Sequence, residues 1–64
     1  MHKNLNAEMA RYEITVSDIA KLLSCSERTV KNKISGITPF TYKEAITIRN
    51  EFFNNLETEY LFEQ

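Results

Sequence analysis

Between Thr15 and Gly36 the apolar positions recur at helical spacing in two short runs, separated by a polar break. Val16, Ile19, Ala20 and Leu23 share one side of a predicted helix over Val16–Leu23, while Ser17 and Lys21 point away from it. Thr15 stands just before this run and Asp18 three residues after Thr15, the spacing of a capping box in which each side chain bonds the other's backbone amide. Ser24-Cys25-Ser26 breaks the pattern, because serines compete for backbone hydrogen bonds and favour caps over helix interiors. Ser26 then starts a second helix over Glu27–Ser35, and Gly36, the only glycine, suits the left-handed position that ends it. In this second helix only Val30 and Ile34 are apolar, four apart on one face. Arg28, Lys31, Asn32 and Ser35 occupy the opposite arc, with Thr29 beside them.

The pattern continues on both sides. Leu5, Met9 and Tyr12 form a stripe on a helix over 1–12 that should pack across the two central helices. His2 falls in the frayed start of that helix, has no histidine partner, and is expected to be solvated. After Gly36, Pro39 holds Thr38 extended and makes 37–40 a loop, from which Phe40 is expected to plug the core. Thr41 and Glu44 form a second capping box, opening the longest helix at about 42–54. Tyr42, Ala45, Ile46, Ile48, Phe52 and Phe53 give it a broad apolar arc with Arg49 near the middle. Such an arginine either bonds a carboxylate or helix-end carbonyls at the core's edge, or lies on a seam between core and partner; we expect the structural pairing. A turn over 54–56 leads to a short last helix over 58–62. The chain therefore reads as an all-α, compact five-helix single domain over residues 1–64, with its central motif at about 15–36.

Composition narrows the reading. Sixty-four residues are near the lower limit for a core that folds without a disulfide, a metal or a partner. One Gly and one Pro argue for helices over hairpins. No segment approaches the ~20 apolar residues of a membrane span, and no apolar signal region opens the chain, so a cytoplasmic protein is expected. The start and the EYLF run near the end lead us to expect a complete small protein rather than one part of a longer chain. The single Cys25 cannot form an internal disulfide and is expected to serve as a small core group. Six of the seven aromatics fall between Phe40 and Phe62, which points to a dimer interface made of Phe52, Phe53, Leu56, Tyr60, Leu61 and Phe62; the same rings would serve equally to finish the core of one chain.

A net charge of -1 conceals a polarised chain. Lys21, Arg28, Lys31, Lys33 and Lys43 face only Glu27 in one stretch, a local balance of +4; Glu44, Glu51, Glu57, Glu59 and Glu63 face only Arg49 in the next, a balance of -4. A positive half aimed at phosphate and a negative half aimed away would orient the protein on a polyanion. Enzyme chemistry has no footing here: one His and one Cys, no metal-ligand cluster, no phosphate-cradling glycine loop, and no paired nucleophile and base. We therefore expect no catalytic residue, no cofactor, no metal and no small-molecule ligand.

The polar arc of the second central helix is stocked for the major groove, where Arg binds guanine bidentately, Asn does the same to adenine and Thr meets a thymine methyl. Alone, that helix reads as a solvated surface helix; the helix and turn before it shift the reading. Together, Thr15, Ile19-Ala20, Leu23, Ser26, Val30 and Gly36 resemble the helix-turn-helix of lambda repressor and Cro-type (XRE-like) regulators. The run SERTVKNKISGITPF, followed by FTYKEAITIRNEFF and EYLF, is similar to a phage and mobile-element branch in Gram-positive bacteria, so the resemblance covers about residues 14–62. The pattern departs at three positions. Val16 replaces a frequent phosphate-holding glutamine, Ser24 replaces the usual turn glycine, and Lys33 takes a commonly apolar position, its ammonium expected toward phosphate or solvent.

The resemblance implies a transcriptional repressor or Cro-like protein that binds palindromic operator DNA as a homodimer. Ser26, Glu27, Arg28, Thr29, Lys31 and Asn32 would then read bases, with Arg28 and Asn32 foremost. Ser17, Lys21, Lys33, Lys43, and Thr38 with its loop amides, would hold phosphates. The competing expectation is a helix-turn-helix scaffold serving as a protein-interaction module through its aromatic end.

Overall fold

The computed structural model describes residues 2–63, and these form five helices without a strand. They are α1 (Lys3–Tyr12), α2 (Val16–Leu23), α3 (Glu27–Ser35), α4 (Tyr42–Phe52) and α5 (Thr58–Leu61). The expected all-α, five-helix architecture is present. None of these helices is long and apolar enough to cross a membrane.

α2 and α3 keep the boundaries read from the sequence because side-chain chemistry fixes their ends. Thr15 Oγ1 accepts from the Asp18 amide at 3.1 Å, and Asp18 Oδ2 accepts from the Thr15 amide at 2.9 Å. These bonds satisfy donors that a helix start otherwise leaves orphaned, and they hold the Asp18 carboxyl below its ordinary pKa. Ser24 closes α2 in the left-handed region, at φ 57 and ψ 45, where glycine is at ease and a Cβ carries strain. Ser26 caps α3 by accepting from the Thr29 amide at 3.2 Å, and Gly36 ends it at φ 94.

The C-terminal part is more compressed than the pattern predicts. α4 ends at Phe52 rather than near residue 54, because Phe53 leaves helical geometry, at φ -135 and ψ 43, and carries its ring into the core. The chain then folds back, with the Leu56 amide donating to the Phe53 carbonyl at 2.8 Å. Arg49 closes the same turn: its Nε donates to the Leu56 carbonyl at 2.7 Å, and its Nη1 donates to Asn50 Oδ1 at 3.0 Å. Arg49 therefore takes the structural pairing expected of it, with a carbonyl just past the helix end.

Leu5 and Met9 from α1, Ile19 and Ala20 from α2, Val30 and Ile34 from α3, Ile48 from α4, and Phe53 and Leu61 form one buried cluster. α2 packs most heavily on α3, while α1 and α4 both rest on α5. Burying each large side chain contributes about 1.5–3 kcal/mol before ordering entropy is set against it, so a domain of this size has few rings to spare.

Several side chains depart from their expected surroundings, three of them away from α3. His2 is 2% exposed rather than solvated, because its ring packs edge-on to Phe40 and Phe62. Tyr42 is 80% exposed, since the first turn of α4 runs out beyond the core that Ala45 and Ile48 reach. Glu8, which the stripe reading passes over, is 3% exposed. It accepts from the Tyr60 hydroxyl at 2.8 Å on Oε2, while Arg11 Nε lies 3.5 Å from Oε1. Asn4 Nδ2 adds a 2.8 Å bond to the Tyr60 carbonyl, so polar contacts lock α1 to α5. The bond to Glu8, first of all, holds the Tyr60 phenol above its ordinary pKa.

Candidate nucleic-acid interface

The polar arc of α3 is presented by a helix fixed at both ends. Val30, Lys33 and Ile34 are buried beneath it. Glu27, Arg28 and Lys31 are exposed, while Thr29 and Asn32 are half-buried. Among the described residues, the side chains of Arg28, Lys31 and Asn32 make no hydrogen bond or ion pair within the chain, so their donors and acceptors are free. Ser26 and Thr29 differ: Ser26 Oγ lies 2.9 Å from Thr29 Oγ1 and also accepts the Thr29 amide. With both hydroxyls drawn into the cap, Thr29 has its methyl left to offer, and Ser26 belongs to the frame of the helix more than to its outer arc.

The loop after α3 is tied back in the same manner. The Asn32 carbonyl accepts from the amides of Ile37 at 2.9 Å and Thr38 at 3.3 Å, which leaves the Asn32 side-chain amide unpaired. The loop amides of Ile37 and Thr38 are therefore already used, and Thr38 keeps only its exposed side chain for a phosphate. This corrects the expectation that Thr38 would offer amides as well.

Lys33 also requires correction. Its residue is 8% exposed, and Nζ donates to Glu44 Oε1 at 3.0 Å and to the Pro39 carbonyl at 3.2 Å. The ammonium thus points inward, away from phosphate or solvent, because Glu44 and the loop carbonyl give it better partners than water at a nearly closed site. Glu44 Oε1 simultaneously accepts the Thr41 amide at 2.9 Å as part of the second capping box, whose other bond runs from the Glu44 amide to Thr41 Oγ1 at 3.1 Å. The Thr41 amide bond first, and Lys33 after it, hold the Glu44 carboxyl below its ordinary pKa despite partial burial. One ion pair thereby joins the end of α3, the 36–41 loop and the start of α4.

This pair removes one charge from each half of the polarised chain. Lys21, Arg28, Lys31 and Lys43 stay exposed in the basic half, and Glu51, Glu57, Glu59 and Glu63 stay exposed in the acidic one. Ser17 is half-buried on α2, and Val16 packs against the core, consistent with its apolar character. Cys25 is a free thiol packed on the same core, as expected.

The C-terminal residues singled out as an interface are largely spent within one chain. Phe53 and Leu61 are fully buried and cannot serve as contact groups. Phe52, Leu56 and Phe62 are half-buried against the core, and Tyr60 is tied to Glu8. A shallow cleft of about 300 Å³ remains between α4 and α5, lined by Tyr42, Ala45, Ile46, Thr58, Glu59 and Phe62. A second, of about 290 Å³, lies between α2 and α4 beside Leu22, Leu23, Lys43, Glu44 and Thr47. Among the described residues no three His, Cys, Asp or Glu side chains gather to hold a metal ion.

The sequence pattern placed Tyr60 at an interface and passed over Glu8 as its partner, although Glu8 sits three residues from Leu5 beside the apolar stripe and that spacing was the available signal. Nothing in the local pattern marked His2, whose neighbours lie 38 and 60 positions away along the chain. No family model, curated protein or solved structure matches this chain.

Proposed function

We propose that the chain is a helix-turn-helix regulator of the lambda repressor and Cro kind, binding double-stranded operator DNA with α3 in the major groove and controlling transcription. One observation carries this reading: Arg28, Lys31 and Asn32 stand together on the outer arc of a helix anchored at both ends, with no side-chain partner among the described residues. Free donors in a fixed geometry suit base edges, because no internal bond must break before they bind. Arg28 and Asn32 are the foremost base readers, with Glu27, Thr29 and Lys31 beside them. Lys21 and Lys43, with Ser17 and Thr38, are the phosphate contacts; Lys33 is not among them. Repulsion between the acidic C-terminal half and the phosphates would favour one orientation on the duplex.

A palindromic operator requires two copies about one DNA turn apart. With Phe53 and Leu61 committed to the core, the apolar surface left for pairing centres on Tyr42, Ile46 and Phe62 at the α4–α5 cleft. That same cleft supports the competing reading, a protein-interaction module, whose binding would survive loss of the α3 arc.

Selection from a randomised duplex pool at about 100 mM salt separates the two, since nonspecific electrostatic binding is partly suppressed there. The DNA reading expects an enriched inverted repeat with half-sites about 10 bp apart. On that site Arg28→Ala should cost about 1–3 kcal/mol at one base position, whereas Lys43→Ala should weaken all sequences alike and lower the salt slope by about one. Equal loss for Arg28→Ala on selected and random DNA would remove Arg28 as a base reader. No enrichment from the folded protein would favour the interaction module.

A further inference from the structure

Among the described residues His2 is the buried side chain whose polar atoms all lack partners: it is 2% exposed, and neither Nδ1 nor Nε2 makes a hydrogen bond. Its ring meets Phe40 at 5.2 Å and Phe62 at 5.9 Å, and those two rings meet at 5.0 Å, each contact edge-on. The three rings join the start of the chain, the loop after α3 and the residue following α5. The main chain of His2 extends this joint. Its amide donates to the Ile34 carbonyl in the last turn of α3 at 3.1 Å, and its carbonyl accepts the Asn6 amide at 3.1 Å.

A neutral imidazole in such a place leaves one donor and one acceptor unmade, but an imidazolium carries two N–H donors and a charge that burial penalises strongly. The charged groups on the surrounding elements offer no remedy. Lys3 on α1 is exposed and positive, and the charge of the amino terminus lowers the His2 pKa further. Lys33 on α3 holds its ammonium 6.0 Å from the Phe40 ring centroid, and its carboxylate partner Glu44 is already bonded twice. Glu63, beyond α5, is exposed to water.

We infer that His2 is an acid-operated latch on the C-terminal end of α3. Neutral, its ring completes the triangle and its amide holds the Ile34 carbonyl. Protonated, the ring leaves for water, that bond is lost, and the end of α3 loosens together with the 36–41 loop. Burial first, and the amino terminus second, lower the His2 pKa from the ordinary 6.5, and the nearby Phe62 main chain offsets this only in part. Because the folded value is depressed, stability is complete above about 6.5 and falls as the pH drops below it. If α3 reads DNA, affinity declines in the same window; this one consequence rests on the function proposed above, while the latch itself does not.

The test uses the whole 64-residue chain, in which the sole histidine gives unambiguous imidazole resonances. The His2 ring titration and the urea midpoint are followed from pH 7.5 to 5.0 for wild type, His2→Phe and His2→Gln, a range above that in which Glu44 and Asp18 titrate. The latch expects titration below 6.5 and a wild-type midpoint that falls with acid, by about tenfold in the folding constant for each unit of depression once the pH is below both values. Both variants, which carry no titrating ring, should give flat profiles over this range, and either one suffices. An imidazole titrating at or above 6.5, or an equal acid loss in a variant, overturns the latch. DNA binding absent at every pH would instead count against the DNA reading, with the latch still decided by the midpoints.

Discussion

The outer arc of α3 and the C-terminal end of the domain both carry side chains that suggest binding, yet the fold treats them in opposite ways. On α3, Arg28, Lys31 and Asn32 remain free among the described residues, while the charged and polar groups behind the helix are spent on holding it in place. Glu44 is held by Lys33 and Thr41, and the Asn32 carbonyl by the loop amides. At the other end, Phe53 and Leu61 are sealed, Tyr60 is bonded to Glu8, and Phe62 closes on His2 and Phe40. The difference teaches that an excess of aromatic residues is not by itself a surface. A 64-residue chain has so little interior that its rings are needed to build it, whereas charged groups on a well-anchored helix are left over for a ligand.

Four substitutions break or sharpen this contrast. Phe53→Ala should have the largest effect, about 3–5 kcal/mol in urea or thermal unfolding, because a fully buried ring that meets Tyr12 and Phe52 leaves a cavity in the core. A change in self-association with stability intact would return Phe53 to an interface. Lys33→Ala should cost about 1–3 kcal/mol, with little dependence on salt, since the ion pair is largely shielded from water. It should leave the salt slope of any DNA binding unchanged, and a slope reduced by about one would make Lys33 a phosphate contact after all.

Thr41→Ala should cost about 1 kcal/mol through the lost cap. Both of these changes also bear on pH. The Glu44 carboxyl is depressed when folded, so its contribution is present above about 4.5 and lost as the pH falls through the folded value. Lys33→Ala should shrink that acid loss by removing one of the interactions that depress Glu44. An acid profile identical to wild type would mean that the ion pair is idle. Smallest, Ser24→Gly should raise stability by up to about 1 kcal/mol by relieving the left-handed φ of 57, with no effect on the arc. A loss instead would show that the serine side chain contributes something the backbone strain conceals.

Much of the fold was legible because its signals are local. The boxes Thr15/Asp18 and Thr41/Glu44, the Ser26 cap and the Gly36 terminus each act within four residues, so α2, α3 and the start of α4 follow from nearest neighbours along the chain. The polar arc of α3 is equally local, since 3.6 residues per turn decides which side chains lie opposite Val30 and Ile34. The inward turn of the Lys33 ammonium, the burial of His2, the Glu8–Tyr60 bond and the end of α4 at Phe52 could not be read this way. Each depends on a contact between separated stretches or on a ring finding space in the core. The sequence by itself therefore determined the helices and the face α3 turns outward, through short-range bonding and helical periodicity. Only the tertiary structure decided which charged and aromatic groups remain free, because that depends on distant partners competing for them and on how few buried places so small a domain provides.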